Sequence, residues 1–333
     1  MKLITCTGYY GTGSSAITDL ISEFDNVYSL GDYEFRFVQD PEGISDLEYN
    51  LVENHHRHNS GHALKRYKKK VDFLSKIHYE KYFNKKFKQI SYNYIENLTD
   101  FKCKGMWHQD VIDRGKIFYF FERLINKIYM VNRKLLTGKS ERGITLLKNE
   151  ITLYSKPGEN FYKITRNYID ELFKVANCDN KEFVMVDQLV PPSNINRYMK
   201  YFNDLKVIIV DRDPRDLYIL EKKYWKGTVI PCENVKIFCE WFIYTRENIN
   251  NDNKNIMKIK FEELIYQYDK SLKKIVNFLN LNEENHINKE KMFNRKISVK
   301  NTKLWEKNIE FAQDIKYIEN KLSQYLYDYK CEE

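Results

Sequence analysis

The stretch ITCTGYYGTGSSAITDLI, Ile4–Ile21, decides how this chain of 333 residues is read. An apolar run, Lys2–Gly8, leads into three closely spaced glycines, Gly8, Gly11 and Gly13, and a helical pattern begins near Ser14. A strand, a glycine turn and a helix in that order build an anion site. Glycine lets the backbone turn tightly and brings its N–H groups close to a bound group. The helix start adds partial positive charge, and Ser14 and Ser15 carry hydroxyl donors. The expected cradle is Gly8, Tyr10, Gly11, Thr12, Gly13, Ser14 and Ser15.

The spacing Gly8-x-x-x-x-Gly13-Ser14-Ser15 matches a Walker A loop, except that Ser14 stands where a lysine is expected. That lysine neutralises the β- and γ-phosphates, where charge moves during phosphoryl transfer. Its absence argues against an ordinary ATPase or kinase. A loop without it binds a less charged group or takes its cation from elsewhere.

Outward from the loop, FVMVDQL (Phe183–Leu189) and KVIIVDRD (Lys206–Asp213) read as buried parallel strands. NIMKIKF (Asn255–Phe261) is a more polar strand and NVYSLGD (Asn26–Asp32) a weaker one. Strands alternating with helices imply an α/β fold, three-layered around a central parallel sheet. Between Gly43 and Ala176 long helical patterns dominate, DVIDRGKIFYFFERLINKIYMVNRKLL being the longest. This stretch reads as a helical insertion, or cap, within a single domain spanning 1–333. GKSERG (Gly138–Gly143) and SKPGEN (Ser155–Asn160) read as turns inside it. In the tail, Leu264, Leu272, Ile275, Val276 and Leu279 recur at helical spacing and form one apolar face.

With 42% hydrophobic residues the chain can bury a sizeable core. It has no apolar run of about 18 residues, so no transmembrane helix is expected. The segment MKLITCTG lacks the apolar region of a signal peptide. The expectation is a cytoplasmic protein, with peripheral contact to a membrane or other anionic surface left open and no nucleic-acid partner. Six scattered cysteines, Cys6, Cys103, Cys178, Cys232, Cys239 and Cys331, make no CxxC pair and suggest neither zinc nor a disulfide framework. A net charge of +8 points mildly to anionic partners. His55, His56, His58 and His62 read better as a polar helix end or loop than as a metal cluster, and KRYKKK (Lys65–Lys70) as a solvated helix face.

The glycine loop resembles the 5′-phosphosulfate loop of sulfotransferases that use 3′-phosphoadenosine-5′-phosphosulfate (PAPS), with Gly13, Ser14 and Ser15 matching the family's Gly-Thr-Thr. The family's loop lysine or arginine would fall on Gly11, a departure. VIIVDRDPRDLYI resembles the second nucleotide signature, a strand followed by Arg-x-Pro-x-Asp and a helix. By that resemblance Arg212 holds the 3′-phosphate, through two-pronged hydrogen bonds. The family's later serine falls on Leu220, a second departure. FEELIYQYDKSLKKIVNFLNL is similar to the family's late helix, and FNRKISVKNTKLWEKN (Phe293–Asn308) to its C-terminal loop, with Arg295 and Lys296 as the matching 3′-phosphate cations.

DYEFRF resembles the Gly-Glu-Glu-Thr-Arg stretch of tyrosylprotein sulfotransferases, which makes Glu34 the base and Arg36 the cation that Gly11 does not supply. His108, in GMWHQD after the central strand candidate FKCKG, is the rival base. The resemblance implies a PAPS-dependent transferase that releases 3′,5′-ADP (PAP), needs no metal, and acts on a hydroxyl of a carbohydrate or similar acceptor. The alternatives are a P-loop kinase or NTPase, with Ser15 and Asp187 on magnesium, and a non-catalytic nucleotide-binding protein.

Overall fold

The computed structural model describes residues 1–139, 143–156, 158, 160–247 and 252–329. Cys331 and parts of the two turns GKSERG and SKPGEN lie outside the described residues. The chain divides into two compact units, one formed by Met1–Asp40, Lys81–Lys86 and Thr165–Glu333, the other by Pro41–Glu80 and Phe87–Ile164. The described strands, in chain order, are β1 (Lys2–Gly8), β2 (Val27–Glu34), β3 (Phe101–Lys104), β4 (Ile151–Tyr154), β5 (Phe183–Asp187), β6 (Leu205–Asp211) and β7 (Ile256–Lys260).

In the first unit β2, β5, β1, β6 and β7 lie side by side in that order, and every pairing is parallel. All five are the strands expected from the sequence. The central strand β1 is flanked by two strands that come much later in the chain. Strand order therefore reverses beside it, and in such sheets the ligand crevice opens at the carboxyl ends of the strands. Period-2 alternation divides the side chains between two faces. Ile4, Cys6, Met185, Ile208 and Val210 pack with Ile17, Leu20 and Ile21 of helix Ser14–Ser22 and with Ile275 and Leu279 of helix Tyr268–Leu279. Leu3, Val184, Val186, Val207 and Ile209 are buried on the other face. Each such aliphatic side chain contributes about 1.5–3 kcal/mol by burial. The tail forms two helices, Phe261–Tyr266 and Tyr268–Leu279, and Leu264, Ile275, Val276 and Leu279 are buried as their spacing predicted.

The second unit corrects two expectations. FKCKG is not a central strand: Phe101–Lys104 pairs antiparallel with Ile151–Tyr154 in a separate two-stranded sheet and is exposed at all its positions. Lysines at both Lys102 and Lys104 are incompatible with a strand covered on both faces. The long helical pattern is also broken: His108–Ile112 ends before Gly115–Thr137, and Gly115 takes a φ of 88°. The histidine segment opens helix Arg57–Ile77, where His55 meets the Ser155 carbonyl, His58 stacks on Trp107 and His62 pairs with Asp113. Lys65 is not simply solvated, since it pairs with Asp110 and Glu150. Among the described residues no helix is long and apolar enough to cross a membrane.

Candidate phosphate-binding site

The turn after β1 is built by backbone conformations that few side chains tolerate. Tyr10, Gly11 and Gly13 have φ of 64°, 63° and 97°, all left-handed. Thr12 folds back, and its Oγ1 accepts from the Tyr9 N–H at 3.2 Å. Space as well as φ requires the glycines. A Cβ on Gly8 would stand 2.1 Å from Thr12 Oγ1, and one on Gly13 would stand 2.5 Å from Phe261. At Gly11, where the resemblance calls for lysine or arginine, a Cβ would lie 2.6 Å from the Trp225 ring and 2.9 Å from Leu217. The departure at Gly11 thus has a steric cause: an aromatic ring packs where the stem of the cation would run.

Helix Ser14–Ser22 starts directly from this turn, and no side chain caps its first N–H groups. Those donors face the crevice, as helix starts in anion sites do. The cleft has a volume of about 650 Å³ and is lined by the loop, Arg212, Trp225, Phe261, Glu34 and Asp187, with the segment Met292–Asn301 along another side. Every lining residue belongs to the first unit.

Arg212 follows β6, as the sequence predicted, and Pro214 takes the first turn of helix Pro214–Ile219 with Asp213 capping it. The arginine is only 5% exposed. Its Nη1 donates to the Gly11 carbonyl at 3.0 Å, its Nη2 donates to the Asn301 carbonyl, and its guanidinium lies over Phe261. Its Nε is buried with no partner. The neighbouring carboxylates are taken by other arginines: Asp211 by Arg246 at 2.7 Å and Asp213 by Arg215 at 2.8 Å. Among the described residues Arg212 therefore makes no hydrogen bond to a carboxylate, although its charge pulls on the buried carboxyls of Asp216 and Glu262, and its Nε and remaining N–H donors stay open to an anion. Arg246 and Arg215 were not singled out in the sequence. Arg246 stacks over Tyr9 and thereby braces the loop, whereas Arg215 also pairs with Glu319.

Asp216, one turn on, ties the C-terminal segment down. It accepts from the backbone N–H groups of Lys303 at 3.0 Å and Leu304 at 2.6 Å. Burial pushes its carboxyl up to about 6, against the opposing pull of Arg212. The segment Met292–Asn301 is thus held beside the cleft, but it presents Asn294, Ile297, Ser298 and Asn301 to it. Arg295 instead pairs with Glu290 at 3.4 Å and lies over Tyr268, and Lys296 is exposed.

The acidic side of the cleft centres on Asp187 at the end of β5. Ser14 Oγ donates to Asp187 Oδ2 at 3.5 Å, and Gln188 Nε2 donates to Ser14 Oγ at 3.2 Å. Asp187 Oδ1 is buried without a partner. Burial, reinforced by the charge of Glu34, pushes the Asp187 carboxyl up to about 7. Ser14, rather than the expected Ser15, is the hydroxyl that meets this carboxylate; Ser15 is exposed along the cleft. Glu34 pairs in register with Asp187 across β2 and β5, which puts it at the carboxyl edge beside the loop. Arg36 turns to the other side of the loop. It is held by Asp40 at 2.9 Å, by Glu34 at 3.6 Å and by donation to the Tyr10 hydroxyl at 3.4 Å. There it lines a second cleft of about 520 Å³ together with Tyr9, Tyr10, Gln39, Gln188 and Trp241. His108 lies in the second unit, exposed at the start of its short helix.

Sheet order, glycine turn and helix start define a P-loop-like α/β fold with an anion cradle at its switch point. Solved structures similar to the chain include the sulfotransferase domain of the curacin biosynthetic pathway, at 11% identity over 88% of this chain and 79% of that one, with a TM-score of 0.36. Sulfotransferase STF1 of Mycobacterium tuberculosis is similar at 8% identity over 91% and 76%, with a TM-score of 0.35. A retinol dehydratase in complex with androsterone and the inactive cofactor PAP is similar at 13% identity over 90% and 67%, with a TM-score of 0.28. No family model and no curated protein matches the chain. Every one of these TM-scores lies below 0.5, so what the chain can do rests on its own site.

Proposed function

We propose that the chain is a sulfotransferase that takes a sulfuryl group from PAPS to a hydroxyl acceptor and releases PAP. The observation that carries this reading is the buried Arg212, with an Nε that has no hydrogen-bond partner and a place beside a glycine loop that has no cation of its own. PAPS carries two separated anionic groups, and this reading assigns one to the loop and one to Arg212, both of which line the cleft. The loop N–H groups with Ser14 and Ser15 suit the 5′-phosphosulfate. Arg212, with Nε and its remaining N–H donors unspent, suits the 3′-phosphate. When bound, PAPS supplies the sulfuryl group.

The chain's own residues supply the rest. Glu34, at the strand edge, accepts the acceptor proton, and Arg36, paired with Glu34, offsets charge on the acceptor side. The second cleft, lined by Tyr9, Tyr10 and Trp241 with Gln39 and Gln188, offers aromatic faces and amide groups of the kind that suit a sugar ring. His108 is the alternative base, and Arg295 and Lys296, which do not line the cleft in this structure, would have to turn toward it to serve as further cations. The test is incubation with PAPS and a panel of saccharides, followed by mass spectrometry. Gain of one SO₃ group on a saccharide, lost in Glu34→Gln, supports the reading; transfer to no acceptor, with PAP failing to bind, contradicts it.

One observation favours a second reading. A serine of the loop and an aspartate at a strand end hold magnesium in a P-loop NTPase; here Asp187 is met by Ser14, one position before the Walker A serine Ser15. Under that reading nucleotide binding requires magnesium, which separates the two.

A further inference from the structure

The second unit carries a surface that the nucleotide site does not use. Helix Gly115–Thr137 runs for 23 residues, and Glu122 is its sole buried side chain. Glu122 accepts from the Thr145 hydroxyl at 2.7 Å and from the Leu146 N–H at 3.2 Å, which fixes the face that meets the rest of the unit. On the opposite face Ile117, Phe121, Leu124, Ile128, Val131 and Leu135 follow one another at spacings of three and four and are 51–88% exposed. At about 1.5 Å per residue this ridge is roughly 27 Å long. Solvated apolar side chains in such a continuous row mark a docking surface rather than scattered exposure.

The charges on the helix narrow the choice of partner. At 100° per residue Lys116, Arg123, Lys127 and Lys134 fall within about 40° of one another, on one flank of the ridge. The single acid of the helix, Glu122, is buried on the inner face. The exposed surface of the helix is therefore apolar and cationic with no anionic element. A second copy of the same helix would bring cations and apolar groups but no acidic row to match. An anionic lipid surface matches both features, with acyl chains for the ridge and headgroup charge for the lysine row. A long helix with phenylalanine and aliphatic residues on one side and basic residues on the other is the pattern of an interfacial helix lying in the plane of a bilayer.

We propose that helix Gly115–Thr137 docks the protein on anionic membrane surfaces, with the ridge from Ile117 to Leu135 entering the headgroup–acyl boundary and the Lys116–Lys134 row meeting lipid phosphates. The docking is peripheral.

The test is flotation of the full chain with vesicles of pure phosphatidylcholine and of phosphatidylcholine with phosphatidylglycerol, at low and high salt. The proposal expects binding to the anionic vesicles alone, weakened by salt. Leu124→Glu/Ile128→Glu should abolish it. Each of Lys116→Gln, Lys127→Gln and Lys134→Gln should weaken it about fivefold, the equivalent of ~1 kcal/mol per cation. These side chains are exposed, and unchanged circular dichroism and melting temperature confirm that the variants fold. Absence of binding to anionic vesicles overturns the proposal. So does a concentration-dependent dimer that Leu124→Glu/Ile128→Glu dissolves while vesicle binding persists.

Discussion

Arg212 donates to the carbonyl of Gly11 at 3.0 Å, so the one cation among the described residues that line the cleft is tied to the loop residue that lacks a charge. β6 and the loop after β1 are thereby joined at the carboxyl edge of the sheet. The same arginine reaches Asn301, and Asp216 holds Lys303 and Leu304, so the C-terminal segment closes the third side.

Replacement of Arg212 separates anion binding from folding. Arg212→Ala removes the charge and both backbone hydrogen bonds, and Arg212→Lys keeps the charge but loses the planar fork. Binding of 3′,5′-ADP, measured by titration calorimetry, should weaken about 30- to 150-fold in Arg212→Ala, from the ~2–3 kcal/mol of a charge-assisted pair. Arg212→Lys should recover only part of it. Unaltered affinity in Arg212→Ala would remove Arg212 from the site.

The loop should reject the lysine that the resemblance asks for. Gly11→Lys meets Trp225 at 2.6 Å and a φ of 63°, and Gly13→Ala meets Phe261 at 2.5 Å and a φ of 97°. Each should lower stability by about 1–3 kcal/mol in urea unfolding, and neither should raise activity. A more active Gly11→Lys enzyme would show that Trp225 gives way and that the missing cation is a defect.

Asp187 makes stability depend on pH. Its carboxyl titrates at about 7 in the folded chain and near 3.8 in the unfolded one. Between those values the folded state holds the extra proton, so this group's contribution falls as pH rises from about 4 to about 7 and is flat above. Asp187→Asn should therefore be more stable than the parent at pH 8, by on the order of 2–4 kcal/mol, and the difference should vanish near pH 4. Denaturant melts at the two pH values measure it; a variant that is less stable at pH 8 would mean that the ionised carboxylate is compensated in the fold.

Glu34 and Arg36 should act on turnover rather than on nucleotide affinity. Glu34→Gln should cut kcat by about 10²–10⁴-fold with 3′,5′-ADP binding retained. Arg36→Ala should lower kcat and raise KM for the acceptor, since Arg36 lines the second cleft and not the first. If Glu34→Gln keeps its kcat while His108→Ala loses it, the base is His108.

β1, β5 and β6 were readable because each is an apolar run bounded by turn signals, and burial on both faces writes itself into such runs; β2 and β7, only partly buried, were the weaker readings. Arg212 was readable because a strand end and a proline at a helix start fix its place. β3 was readable as a strand but not as the edge of a separate sheet, and β4 was not readable, because four residues leave too short a run to see. The choice between Ser14 and Ser15 turns on 100° of helix rotation, and that between Arg295 and Asn294 or Ser298 on the phase of a single helical turn. Neither phase is visible before the turn is packed. The steric reason for Gly11 was equally hidden, since Trp225 meets it from more than 200 positions away.

The most direct measurement is thermal unfolding with 3′,5′-ADP in EDTA, beside ATP with magnesium. At 100 times its Kd, 3′,5′-ADP should stabilise by about 2.7 kcal/mol, roughly 4 °C for a chain of this length, without metal and with loss of the shift in Arg212→Ala. Stabilisation by magnesium ATP, with none by 3′,5′-ADP, would contradict the sulfotransferase reading.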